Sequence, residues 1–228
     1  MPITLGSIVL DATHTSAAES YAEVGGRDAR KITLSGLILG EPTAVEIEAR
    51  LDAILDAASA EDYGVALSVR ADRQLWVRRE SFERAFRPDE LIGSFTLVLE
   101  ARDPFEYATT PSSHSWTISA SGATLALTSA GNAHALPSIT LVAAGTIINP
   151  AFGDGTRSIQ FSGTVAAGQT LVFDAPSGRV TLDGVDVTPY TAGEFPQIAP
   201  EGANLCFTDD AVSSHLASVT VSYNDRWW

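Results

Sequence analysis

Few residues of this 228-residue chain could do chemistry: four histidines, one cysteine and a few close carboxylates. His14, His114, His134 and His215 are dispersed, and none stands at a metal-ligand spacing from another, so each reads as structural. Asp183 with Asp186, and Asp209 with Asp210, are close enough in sequence to share a calcium ion. Neither pair brings the oxygen count of a calcium loop, and turn chemistry accounts for both. Cys206, alone, excludes an intrachain disulfide and a thiolate zinc cluster; it sits in an apolar run and reads as packed. There is no G-x-S-x-G elbow, phosphate loop, H-E-x-x-H or G-x-G-x-x-G fingerprint. Carboxylates on distant strands could still meet for glycoside hydrolysis, but nothing local favours it. The expectation is a protein that is not an enzyme, with no cofactor, catalytic or metal site.

Arginines and aromatics leave two binding readings. Arg70, Arg73, Arg78, Arg79, Arg84 and Arg87 fall within one short span, which could be a DNA-contacting patch. Asp72, Glu80, Glu83, Asp89 and Glu90 lie within or just beyond it and nearly cancel it, so a solvated or subunit-bridging ionic face fits better. Arg78, Arg79, Arg84 and Arg87 are the candidate interface residues. Trp116, Tyr190, Phe195 and Trp227 are the aromatics on which a sugar ring could stack, although Gly193-Glu194-Phe195-Pro196 reads as an edge strand packing inward. At the C-terminus Val219, Val221 and Tyr223 alternate as a strand ended by Asn224-Asp225, leaving Trp227 and Trp228 beyond it. These two join the candidate interface: they dock near Pro104 to Tyr107 or on a neighbouring subunit, or pack at the edge of their own domain.

The charge balance narrows the class. With 28 acidic and 14 basic residues the net charge is −14, a surface that repels DNA phosphates and anionic membranes. No specific nucleic acid and no membrane insertion are expected. The N-terminus shows no basic signal region and no apolar run reaches the roughly 18 residues of a spanning helix, which points to synthesis in the cytoplasm. The 45% hydrophobic content is enough to bury real cores, and the length suits two domains of about 100 to 120 residues each.

The elements that must position these residues change character along the chain. Strands are expected at Ile3 to Leu10 and Ile32 to Leu39, with Gly36 a bulge or close-approach point. Between them Asp11 to Arg30, with Gly25-Gly26 near its end, has no periodicity and reads as a long loop or an extended hairpin arm. A helix is expected from Thr43 to about Ala58: Thr43 and Glu46 form a capping-box pattern, Ile47, Leu51, Ile54, Leu55 and Ala58 share a face, and Glu46 pairs with Arg50. Val65, Leu67 and Val69 alternate as a strand, with Gln74 to Arg78 as its hairpin partner. Gly93 to Ala101 is the clearest strand of this half, stopped by Asp103-Pro104, and Thr109 to Ser115 reads as polar linker. Domains of residues 1–110 and 111–228 follow.

The second half holds eight to ten short candidate strands and no helix. They are His114 to Ser119, Thr124 to Thr128, Ser138 to Ala143, Arg157 to Ser162, Thr170 to Asp174, Arg179 to Leu182, Val185 to Val187, Asn204 to Thr208 and Ser218 to Tyr223. Gly- and Asp-containing turns separate them, the pattern of a sandwich or jelly roll. The stretch Leu127 to Val142 leads into this core, with a Gly131-Asn132 turn, Pro137 and then an alternating strand.

That order of features resembles phage distal tail proteins: the asparagine turn, Pro137, the alternating strand, Gly-rich hairpins, Leu171-Val172-Phe173-Asp174, the Asp183-Gly184 turn and a closing Val-x-Val-x-Tyr strand. These are siphophage tail-tip hub components, with gene transfer agent counterparts. The Asp103-Pro104-Phe105 step where one domain hands over to the next is similar too. The resemblance implies a mainly β chain: an N-terminal mixed strand-and-helix, tail-tube-like domain and a C-terminal galectin-like β-sandwich. It implies a structural virion protein at the tail tip, a homohexameric ring joining the tail tube protein to the hub or tail-associated protein, with tape-measure and receptor-binding proteins as further partners. A carbohydrate-binding adsorption module is the alternative, although the His-x-Asn-x-Arg arrangement of the galectin sugar site is not present.

Overall fold

Period-two alternation becomes two antiparallel β units, one up to Thr109 and one from Thr110 on. The computed structural model describes residues 2–24, 27–60 and 62–228. Gly25-Gly26 of the polar segment therefore lies outside the described residues.

The first unit contains β1 (Ile3–Leu5), β2 (Ile8–Leu10), β3 (Thr15–Val24), β4 (Arg27–Ile38), α1 (Ala44–Ala57), β5 (Val65–Arg70), β6 (Arg73–Arg87), β7 (Ile92–Ala101) and β8 (Glu106–Ala108). Strand order is β2-β1-β5-β6-β7-β4-β3, with β8 beside the start of β6. One face is apolar: Ile32, Leu34, Leu67, Leu75, Val77, Leu97 and Leu99 are buried there, and Ile47, Leu51 and Ile54 of α1 belong to the same core. The other face of β4 and β7 carries Thr33, Ser35, Ser94 and Thr96, all half-buried.

Bare backbone at two glycines leaves room for a large side chain, from the helix at Gly93 and from the neighbouring strand at Gly36. A Cβ on Gly93 would stand 2.6 Å from Ile47 Cγ2, and one on Gly36 would stand 2.6 Å from the Phe95 ring. Gly36 is thus a point of close approach, since its strand pairs without a register shift.

Several expectations need correction in this unit. Asp11 to Arg30 is the hairpin arm of its two alternatives: β3 and β4 pair in continuous register from Thr15↔Gly36 to Val24↔Arg27. Ser16 to Tyr21 are all exposed, so no buried face imposes a period on β3. The strand opposite β5 is far longer than Gln74 to Arg78. It runs on to Arg87, and a register shift between Arg79 and Ser81 reverses which residues face the core. That shift, a β-bulge, hides the alternation from a fixed period.

At the helix start the Thr43 hydroxyl accepts the Glu46 N–H at 3.3 Å and donates to Glu46 Oε2 at 2.8 Å. The carboxylate thus binds the cap's hydroxyl. Held there, Glu46 does not pair with Arg50, whose Nε instead lies 3.7 Å from Glu41.

The second unit contains β9 (Ser112–Ile118), β10 (Thr124–Leu127), β11 (Ser138–Ala143), β12 (Ile147–Ile148), β13 (Ala151–Gly153), β14 (Ser158–Phe161), β15 (Thr164–Val165), β16 (Thr170–Asp174), β17 (Arg179–Leu182), β18 (Val185–Asp186), β19 (Thr191–Gly193), β20 (Ala203–Thr208) and β21 (Ala217–Tyr223). One sheet runs β18-β17-β16-β11-β21-β9 and the other β10-β20-β13-β14-β19. Ile139, Leu141, Leu171, Val219 and Val221 of the first share a single core with Ile159, Phe161 and Leu205 of the second. Phe152 lies at its centre, its ring centroid 5.5 Å from those of Phe173 and Phe207.

Pro137 directly precedes β11, as the sequence suggested. The expected linker is shorter than Thr109 to Ser115, because β9 already begins at Ser112. Phe195 lies beyond β19, outside any strand, and packs against the core from a loop. The fold class is as read: mainly β, with one α-helix among the described residues.

Candidate functional site

The candidate arginines lie on one strand, β6, and the bulge divides them between its faces. Before the shift Arg79 lies opposite Leu99, and after it Phe82, Arg84 and Phe86 lie opposite Leu97, Phe95 and Gly93. Those four residues face the helix. Arg79 Nη1 donates to Ser59 Oγ at 2.9 Å and to the Leu55 carbonyl at 3.4 Å, capping a helix whose last turn has no basic residue of its own. Arg84 donates to Asp52 of the same helix.

Arg78 and Arg87 point to the opposite face. Arg78 Nη2 donates to Glu100 at 3.0 Å, and its guanidinium sits 4.8 Å from the centre of the Tyr63 ring. The Tyr63 hydroxyl also donates to Glu100, at 3.2 Å. Burial, then the Glu100 charge beside it, raises the phenol's pKa. Arg87 reaches Glu90 at 3.3 Å.

The strands carrying these side chains have open edges. From Arg78 to Arg87, β6 pairs with β7 on one side, while its pairing with β5 ends at Val65↔Val77. Among the described residues no strand pairs with the other side of that stretch, nor with the outer side of β3. Each open edge is ten residues long. A long open edge presents a row of main-chain donors and acceptors to another strand; β3 has no Pro, no Lys and no bulge, and its Glu19 is already engaged by Arg30.

A buried ionic cluster behind β3 was missed by the sequence reading. Arg30, on β4, is 1% exposed and donates to Glu19 Oε2 at 2.7 Å, Glu106 Oε1 at 3.0 Å and the Pro104 carbonyl at 3.3 Å. Arg70 donates to the same Glu106, and Arg73 lies 3.5 Å from it. Burial opposes the charge on Arg30, yet the hydrogen bond and charge of Glu19, with the charge of Glu106, raise its pKa overall. The partners are up to 76 residues apart in sequence, so no local pattern marks them.

The residues whose types could do chemistry lie apart, except that His215 and Asp209 meet, and several of them have structural partners. His14 pairs with Asp11 at 2.6 Å, and this hydrogen bond lowers the Asp11 pKa. His114 stacks on Tyr223, and His215 pairs with buried Asp209 at 2.8 Å. Ser121 Oγ is engaged by the Asp209 main chain, accepting its N–H and donating to its carbonyl. Asp183 accepts the Thr170 N–H and Asp186 the Thr188 N–H, as turn residues do. No group of three potential metal ligands occurs among the described residues, and no helix there is long and apolar enough to cross a membrane.

The aromatic candidates lie on separate elements. Trp116, on β9, packs edge-on to Phe152 rather than lying open as a platform, whereas Tyr190 is exposed in the short turn between β18 and β19. The C-terminal segment is fastened to the turn that precedes β11. Asp225 accepts from Ser129 Oγ and the Ala130 N–H, Arg226 donates to the His134 carbonyl at 3.0 Å, and the Trp228 N–H donates to Asn132 Oδ1 at 2.7 Å. Trp227 is half-buried and Trp228 exposed.

An antiparallel sheet with one helix-covered face and two open edges, followed by a two-sheet sandwich, defines a two-domain β protein. Residues 130–227 match the family described as siphovirus-type tail component, C-terminal domain. Over the whole chain the fold is similar to the crystal structure of the SPP1 Dit protein, described as a paradigm of hub adsorption apparatus in Gram-positive infecting phages. The TM-score is 0.69 at 14% identity, covering 100% of this chain and 99% of that one. No curated protein matches the sequence. The resemblance to phage distal tail proteins is borne out, by family in the second domain and by fold throughout.

Proposed function

We propose that the chain is the distal tail subunit of a long non-contractile tail: a structural protein whose first domain closes into a ring of six around the channel. The ring joins the tail tube protein above to the hub or tail-associated protein below, and tape-measure and receptor-binding proteins are further neighbours. The observation that carries this reading is the pair of equal open edges on opposite sides of one sheet, β3 and the second half of β6. Two different edges on one molecule favour head-to-tail contacts, which generate rings when the rotation closes.

The second domain, with its own core, is the part that braces or carries neighbouring tail components, and Trp227 and Trp228 are its proposed contact residues. Assembly takes place in the host cytoplasm and the finished protein resides at the tail tip of the virion. Images of particles containing this chain should show six copies in one ring at the tail end. A monodisperse monomer recovered from disrupted particles, with no ring density, would overturn the reading.

A further inference from the structure

Resting on the ring just proposed, the two edges also determine how neighbouring copies interlock. We infer that β3 of one copy pairs antiparallel with β6 of the next, in the register that sets Glu19 opposite Arg84, Ala17 opposite Phe86 and Tyr21 opposite Phe82.

Direction follows from symmetry. Strands β6, β7, β4 and β3 alternate in direction across the sheet. Rotation about a ring axis leaves each strand's direction along that axis unchanged, so β3 of one copy meets β6 of the next running the opposite way. The alternation then continues around the ring without a break.

Register follows from face and chemistry. On β3 the side chains level with the core face are Ala17, Glu19 and Tyr21, opposite Leu34, Ile32 and Arg30. Past its bulge, β6 turns Phe82, Arg84 and Phe86 to that face. A slip of one residue would exchange the faces, so only steps of two are open. In the chosen register a carboxylate meets a guanidinium, joining Arg30 and Glu19 of one copy to Arg84 and Asp52 of the next. The phenol and a methyl group meet half-buried phenyl rings. Moving two residues either way sets Glu19 against Phe82 or Phe86 and separates it from Arg84. The opposite face then pairs Ala18 with Ala85, Ser16 with Arg87 and Ser20 with Glu83, leaving no bulk to clash.

Cysteine pairs test the register in the full-length chain once its native Cys206 has been replaced by serine. Within one copy, positions 18 and 85 are three strands apart, about 14 Å at roughly 4.8 Å per strand, beyond the roughly 7 Å Cα limit of a disulfide. Any bond between them must therefore link two copies. Ala18→Cys with Ala85→Cys, mildly oxidised, should give a reducible ladder of multimers on a denaturing gel. Ala18→Cys paired with Glu83→Cys or with Arg87→Cys should give little, and single variants at most the dimer. A ladder from position 83 or 87 in place of 85 overturns the register but leaves the ring standing. Multimers seen by light scattering, with no ladder from any pair, overturn the β3–β6 contact itself. A wild-type chain that stays monomeric at high concentration overturns both the ring and this pairing.

Discussion

Asp154 carries a carboxylate into a nearly closed site and meets three main-chain donors there. Its Oδ1 accepts the N–H groups of Thr156 at 2.8 Å and Arg157 at 2.7 Å, and its Oδ2 accepts that of Gln197 at 2.8 Å. Burial pushes the carboxyl pKa up, but the three donors outweigh it and hold the group below its ordinary value near 3.8. A depressed folded-state pKa contributes stability that is fully present above the unfolded value and is lost as pH falls through the folded one. Asp154→Asn should therefore cost about 1–3 kcal/mol at pH 7, and the gap in Tm from wild type should close below about pH 4. A gap that stays constant from pH 7 to pH 2 would show that the charge contributes nothing. Such residues are half legible: Gly153-Asp154-Gly155 reads as a turn, but Gln197, which makes this Asp a staple between distant loops, cannot be seen from the turn. The same holds for Arg30, whose burial depends on carboxylates brought in by β3 and β8.

Among the elements, those with one buried and one solvated face were legible and those without were not. Ser138 to Ala143, Thr170 to Asp174 and Arg179 to Leu182 have the bounds read from alternation. Ile147–Ile148, Ala151–Gly153, Thr164–Val165 and Thr191–Gly193 are two or three residues long, too short to show a period. The open edge of β6 was hidden by its bulge, so the arginines were noticed without the strand that presents them. The helix layer makes a sharper prediction. Gly93 is bare where Ile47 of α1 comes closest to β7, and φ there is not in the left-handed region, so space alone is at issue. Gly93→Ala should destabilise the first domain by about 1–3 kcal/mol through overpacking, and combining it with Ile47→Leu, which lacks the Cγ2 methyl and is the third variant on its own, should recover part of it. Chemical denaturation of the three variants measures this, and an additive loss in the double variant would place the strain elsewhere.

For the whole molecule the question is which face would look inward in the proposed ring. The sheet has one face bearing α1 and the apolar core, and one bearing Lys31, Thr33, Ser35, Arg78, Ser81, Glu83, Ser94, Thr96 and Glu100. The second face combines small hydroxyl side chains and the apolar Leu37 and Val98 with charges of both signs, some of them paired: Lys31 reaches Glu80 at 2.7 Å and Arg78 reaches Glu100. A wall of that kind offers passing DNA no excess of cations to hold it, since retention depends on uncompensated Lys and Arg. If the proposed ring forms, this face is expected toward its channel and the helix on the outside. Two lysine substitutions separate the alternatives: Ser94→Lys on the open face, and Glu48→Lys on the exposed side of α1. A closed ring can thread a linear duplex but not a covalently closed circle. Rings of Ser94→Lys should gain salt-sensitive affinity for linear DNA with little gain for closed circles, whereas Glu48→Lys should treat both forms alike. If the preference for free ends appears with Glu48→Lys instead, the helix lines the channel and the assignment of faces is reversed.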